Sequence, residues 1–71
     1  MSYRVKLGDI TEKKDENTGE TIIYSLEKVK HSYFDEEYII YERQADSGEP
    51  AKIILSLWSG EAQKLIDLLK G

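Results

Sequence analysis

Lys52-Ile53-Ile54-Leu55-Ser56-Leu57-Trp58-Ser59-Gly60-Glu61-Ala62-Gln63-Lys64-Leu65-Ile66-Asp67-Leu68-Leu69-Lys70-Gly71 changes its hydrophobic period once. Up to Trp58 the pattern alternates, as a strand does. Ile53, Leu55 and Leu57 fall on one face, and Lys52, Ile54, Ser56 and Trp58 on the other. Beyond it, Ala62, Leu65, Ile66 and Leu69 recur at i, i+3, i+4 and i+7, an amphipathic helical stripe. Ser59 suits the N-cap, Glu61 the positive end of the helix dipole, and Lys70 with Gly71 the C-terminus. Leu68 widens the stripe, which fits either ordinary core or a seat for a second helix at a dimer interface.

Everything upstream reads as strand. A first strand covers about Tyr3 to Ile10, with Tyr3, Val5 and Leu7 on one side and Arg4 and Lys6 on the other. Thr11 to Glu20 has no periodicity and closes on Asn17-Thr18-Gly19, the signature of a long, mobile hairpin loop. Asp15 and Asn17 there lack the ligand spacing and terminal glutamate of a calcium loop. A second strand runs about Thr21 to Lys30. Ile22, Tyr24 and Leu26 make one face, and Ile23, Ser25, Glu27 and Val29 the other, with a bulge or bend expected near Lys28. The segment from His31 to Glu36 leads to a third strand, about Glu37 to Gln44, whose run Tyr38-Ile39-Ile40-Tyr41 is apolar on both faces. Residues 45–50 form a second turn, with Pro50 at the start of a fourth strand, Ala51 to Trp58. The fold expected is α+β: a four-stranded antiparallel sheet followed by one C-terminal helix, in a single domain of residues 1–71.

At 71 residues the chain is small enough to be marginal alone, since about 60% of the unfolded surface is buried at this size. With no cysteine and only His31, neither a disulfide nor a thiolate or histidine metal site is available, so oligomerisation is the expected remedy and a homodimer the expected state. No stretch approaches the roughly 20 apolar residues of a membrane span, and no basic-then-apolar segment opens the chain. An intracellular, cytoplasmic setting is the expectation.

The net charge of −4 argues against a polyanion partner until its distribution is considered. Ten of the 14 acids fall in expected loops: Asp9, Glu12, Asp15, Glu16, Glu20, Asp35, Glu36, Glu37, Asp46 and Glu49. Eight bases against four acids leave the expected strands and helix at +4, fringed by loops at −8. Such a fringe also arises simply for solubility.

With the core face assigned to Val5, Leu7, Ile22, Tyr24, Leu26, Ile40, Ile53, Leu55 and Leu57, the opposite face stays uncovered. It carries Arg4, Lys6, Tyr41, Arg43, Lys52 and Trp58 among Ile23, Ser25, Val29 and Ile54, interrupted by Glu27. Aromatic rings stack unpaired bases for about 1–3 kcal/mol each while neighbouring cations track the phosphates. A sheet without a recognition helix suits single strands, not a duplex groove. Trp58 fits a sheet–helix corner equally well. Tyr41 joins the core if the third strand slips by one residue, and Ile23 and Ile54 become dimer contacts if a second subunit covers the face.

Catalysis is not expected. The single histidine has no evident nucleophile or orienting partner, carboxylate pairs arise by chance in acidic loops, and the five glycines build no phosphate-cradling loop. No catalytic residue, metal or cofactor is assigned.

The strand order, with Ile40-Tyr41-Glu42-Arg43, a short Gly turn, Ile53-Ile54-Leu55-Ser56-Leu57 and Ser59-Gly60-Glu61-Ala62-Gln63, resembles the positive cofactor four family of transcriptional coactivators over about Ile22 to Leu69. The resemblance implies a curved four-stranded sheet with a C-terminal helix, dimerisation through the helix region and single-stranded DNA binding on the sheet. Arg43 matches the family's basic position late in the third strand, although the neighbouring acid precedes it here. Lys52 falls where members carry bases before the fourth strand. Gln63 and Lys64 stand near the place of the family's aromatic after the helix start. The expected function is single-stranded nucleic-acid binding, associated with transcription. The alternative is a small acidic module that binds another protein through the same face or through the edge of the first strand.

Overall fold

The computed structural model describes residues 3–31, 36–46 and 51–71. Four strands, β1 (Tyr3–Lys14), β2 (Thr21–Lys30), β3 (Glu36–Gln44) and β4 (Lys52–Trp58), are followed by one helix, α1 (Ser59–Lys70). The strands form one sheet in the order β1-β2-β3-β4, every neighbouring pair antiparallel. This is the expected α+β layout. Residues 32–35 and 47–50, which hold most of the expected connector and second turn with Pro50, lie outside the described residues.

The first hairpin differs from expectation. β1 continues through Lys14, which pairs with Thr21, so the first four residues of the supposed loop, Thr11 to Lys14, are strand. What remains is a tight turn held by hydrogen bonds. The Asp15 N–H donates to the Glu20 carbonyl (2.8 Å), the Gly19 N–H to the Asp15 carbonyl (2.7 Å), and the Asn17 N–H to Asp15 Oδ1 (2.9 Å). That last bond is an Asx turn, and Gly19 supplies the positive φ (75°) the chain needs there. The segment lacks hydrophobic alternation because it is an edge strand whose exposed residues bury nothing; pairing, not burial, orders it.

Bulges decide which side chains share a face. β1 shifts register twice, between Lys6 and Gly8 and between Asp9 and Thr11, and the β3–β4 pairing shifts once. Leu55 pairs with Ile40, but Ile53 pairs with Tyr41 and Lys52 with Glu42, so Ile54 is the extra residue. Parity therefore inverts below it. Ile53 leaves the expected core face to join Tyr41, and Lys52 goes to the face of Glu42 and Tyr24.

Burial is also reversed from expectation. The buried hydrophobics among the described residues are Ile23, Val29 and Ile39, which lie with fully buried Ser25 on the face turned away from α1. Among the described elements the helix touches only β3 and β4, and it has no buried residue of its own. Its first turns cover a cavity of about 380 Å³ bordered by Leu26, Tyr38, Ile40, Leu57, Ala62 and Leu65. Val5, Leu7 and Ile10 on β1 stay exposed, although the first two were expected in the core, and so do Leu68 and Leu69 at the far end of α1. Trp58, not Ser59, occupies the N-cap, and the Glu61 carboxylate accepts from the Trp58 N–H at 3.0 Å. Truncation tests this placement of the core. Ile39→Ala is expected to cost about 2–5 kcal/mol in urea unfolding, and Ile53→Ala, at an exposed position, no more than about 0.5 kcal/mol.

Candidate nucleic-acid interface

Alternate residues of the four strands meet on the face away from the helix. β2 contributes Ile23, Ser25, Glu27 and Val29; across from them β3 places Arg43, Tyr41, Ile39 and Glu37. β1 adds Glu12, Asp9, Lys6 and Arg4, and β4 adds Trp58, Ser56 and Ile53. A cavity of about 320 Å³ on this face is bordered by Arg4 from one edge strand and by Ala51 and Ile53 at the other, so the face is a trough. Its floor is Ile39 with the small Ser25 beside it, and its walls are longer polar side chains.

Two hydrogen-bonded clusters shape the walls. The Ser25 hydroxyl donates to Asp9 Oδ1 (2.6 Å), and the Lys6 ammonium lies 3.2 Å from the same oxygen. Ser25 is thereby satisfied although fully buried. The Ser25 hydroxyl and the Lys6 ammonium together hold the Asp9 carboxyl below the usual carboxylate range. At the other end the Ser56 hydroxyl donates to Glu37 Oε2, and His31 Nε2 lies 3.1 Å from Glu37 Oε1. These two contacts, the serine foremost, push the Glu37 carboxyl down as well. The His31 ring leans on Trp58 with centroids 5.5 Å apart and planes tilted by 52°. Trp58 remains 44% exposed, so it offers surface beyond the corner it fills.

Of the six residues assigned from sequence, the fold brings Arg4, Lys6, Tyr41, Arg43 and Trp58 to the trough, while the β4 bulge sends Lys52 to the other side. Tyr41 keeps the face expected of it and pairs with Ser25. Trp58 pairs with Glu37, four residues from Tyr41 along β3, which separates the two aromatic rows by roughly 13 Å.

Asp9, Glu12 and Glu37, placed in loops by the sequence reading, stand on this face. All ten lysines and arginines sit on the five elements, but so do eight acids, which leaves the ordered scaffold at +2 instead of +4. His31, read as a loop residue without chemistry, belongs to the Glu37–Trp58 cluster. Parity could have found both: Glu37 continues Ile39, Tyr41 and Arg43 at every second position, and His31 continues the odd-numbered face of β2. Asp9 could not be found this way, because two bulges flank it. Among the described residues no group of three or more histidine, cysteine or acidic side chains is placed to hold a metal ion, and no helix is long and apolar enough to cross a membrane.

No family model, curated protein or solved structure matches the chain.

The two depressed carboxylates set a pH dependence. Each titrates lower folded than unfolded, so the stability it lends is complete above the ordinary carboxylate range, from about pH 5 upward. That stability is lost as pH falls through the lowered folded values. Urea midpoints are therefore expected to stay level from pH 7 to about 5 and to fall below that. Ser25→Ala and Ser56→Ala are each expected to flatten the acid limb. An acid limb unchanged in both variants would contradict these assignments.

Proposed function

We propose that this chain is a non-catalytic, homodimeric binder of single-stranded nucleic acid that works inside the cell in association with transcription. The observation that carries the reading is the gathering of Arg4, Lys6, Arg43, Tyr41 and Trp58 in one open trough, with two aromatic rows roughly 13 Å apart along the strands. In this reading the rings stack bases, and the cations, of which Arg4 lies beside Glu27 and Lys6 beside Asp9, follow the backbone. The dimer leaves the trough free. It forms through the helix side, where Val5, Ile10, Leu65, Ile66, Leu68 and Leu69 expose far more apolar surface than a small monomer carries as scattered residues.

A second reading is favoured by one observation: Asp9, Glu12, Glu27 and Glu37 share the trough with its three cations. That composition suits a basic protein segment, making the chain an acidic interaction module. Titration at low salt separates the two readings. Oligothymidylate is expected to quench Trp58 fluorescence and to bind more weakly as salt rises. Tyr41→Ala is expected to cost about 1–3 kcal/mol of affinity, and Arg43→Ala to lower the slope of log K against log salt by about 0.7. No binding at low salt would remove the nucleic-acid reading and leave the protein module.

A further inference from the structure

Glu27 stands in the middle of the trough, between the rows of Arg4, Lys6 and Tyr41, where a carboxylate ought to repel a polyanion. Its side chain is only 21% exposed, and it borders the trough's cavity with Arg4, Ile39, Tyr41, Ala51 and Ile53. The Arg4 guanidinium is 3.7 Å away, beyond hydrogen-bonding distance. Among the described residues no donor hydrogen-bonds to Glu27. A half-buried carboxylate with open lone pairs, facing a cavity, is an acceptor awaiting a donor.

The neighbours define which donor fits. Tyr41 lies diagonally across from Glu27, because Glu27 pairs with Ile39 and Tyr41 is two residues further along β3. Such diagonal positions are about 7–8 Å apart, so a planar ring lying on Tyr41 turns its edge to Glu27. The cavity, about 320 Å³, is in the lower part of the range for small-ligand sites. Arg4, with a side chain 64% exposed, is free to swing to a phosphate outside.

We infer that this cavity is a guanine subsite within the proposed single-strand interface, a step that rests on the nucleic-acid reading above. An unpaired guanine presents two adjacent donors, N1–H and the N2 amino group, on its Watson–Crick edge, and both oxygens of one carboxylate accept them together. The other bases place an acceptor beside each donor on that edge, which a carboxylate repels. Glu27 thus reads the base, Tyr41 stacks it, and Arg4 neutralises the phosphate beside it. The carboxylate that weakens non-specific affinity supplies sequence preference.

The test compares labelled ten-nucleotide strands at low salt by fluorescence anisotropy: all thymidine, and the same strand with one central guanine, inosine or 7-deazaguanine. Guanine is expected to tighten binding about tenfold or more over thymidine, the range of a good bidentate contact. Inosine, lacking the N2 amino group, should lose most of that gain, and 7-deazaguanine, whose Watson–Crick edge is intact, should keep it. Glu27→Gln should erase the preference for the guanine strand and, by removing a negative charge from the trough, tighten binding of the all-thymidine strand. Equal binding of guanine and thymidine strands, or of guanine and inosine strands, would overturn the subsite and leave the general function standing. A chain that binds none of the four strands overturns both. The base analogues are read with the unaltered protein, so the outcome does not depend on how a variant folds.

Discussion

The far end of the helical stripe, Leu68 and Leu69, is left largely uncovered by the described residues of one copy of the chain, and Leu65 and Ile66 are only partly covered. Among the described elements the helix meets only β3 and β4, and Leu68 and Leu69 are 66% and 78% exposed. Burying a leucine or isoleucine side chain fully is worth about 1.5–3 kcal/mol, so leaving four partly or largely exposed forgoes a large share of what holds a small domain together. β1 adds Tyr3, Val5 and Ile10 to the exposed apolar surface on the same side of the sheet. No disulfide is present to compensate, since the chain has no cysteine. In the proposed dimer, a second copy seated over this side supplies the missing contacts to both partners at once, because a two-fold interface is self-complementary.

Covering the helix side has a consequence for the other one. The trough already closes over its own apolar floor: Ile23, Val29 and Ile39 are buried beneath the polar walls without help from a partner. It needs no second subunit, so it stays available to a ligand in the proposed dimer. The walls are set by the bulges. Without the shifts in β1, Asp9 would not meet Ser25, and without the one in β4, Ile53 would not border the cavity beside Tyr41. Extra residues in edge strands both aim these side chains and roughen the edges against pairing with other chains.

Element order and the helix were legible in the sequence because they depend on local periodicity, which the switch at Trp58 displays directly; which strands lie side by side does not follow from periodicity and was not legible. Faces were legible wherever parity ran unbroken: Ile23 to Val29 in β2 and Glu37 to Arg43 in β3 align as alternation requires. They were not legible past a bulge, and Lys52 is the clear case. Nothing in Ile53-Ile54-Leu55 marks which of three apolar residues is the extra one. The long first hairpin was missed because hydrogen bonding, not hydrophobic pattern, extends β1 to Lys14. The reversal of burial was missed for another reason: a terminal helix was expected to cap its sheet, and the sequence carries no signal for how far it lies across it.

Sedimentation equilibrium on the intact chain, combined with unfolding at several protein concentrations, tests the central claim most directly. The account predicts a species of about twice the 8.2 kDa chain mass, an unfolding midpoint that rises with concentration, and dissociation to single chains in Leu68→Asp and Leu69→Asp. A single-chain mass at every concentration, with a midpoint independent of concentration, would contradict it.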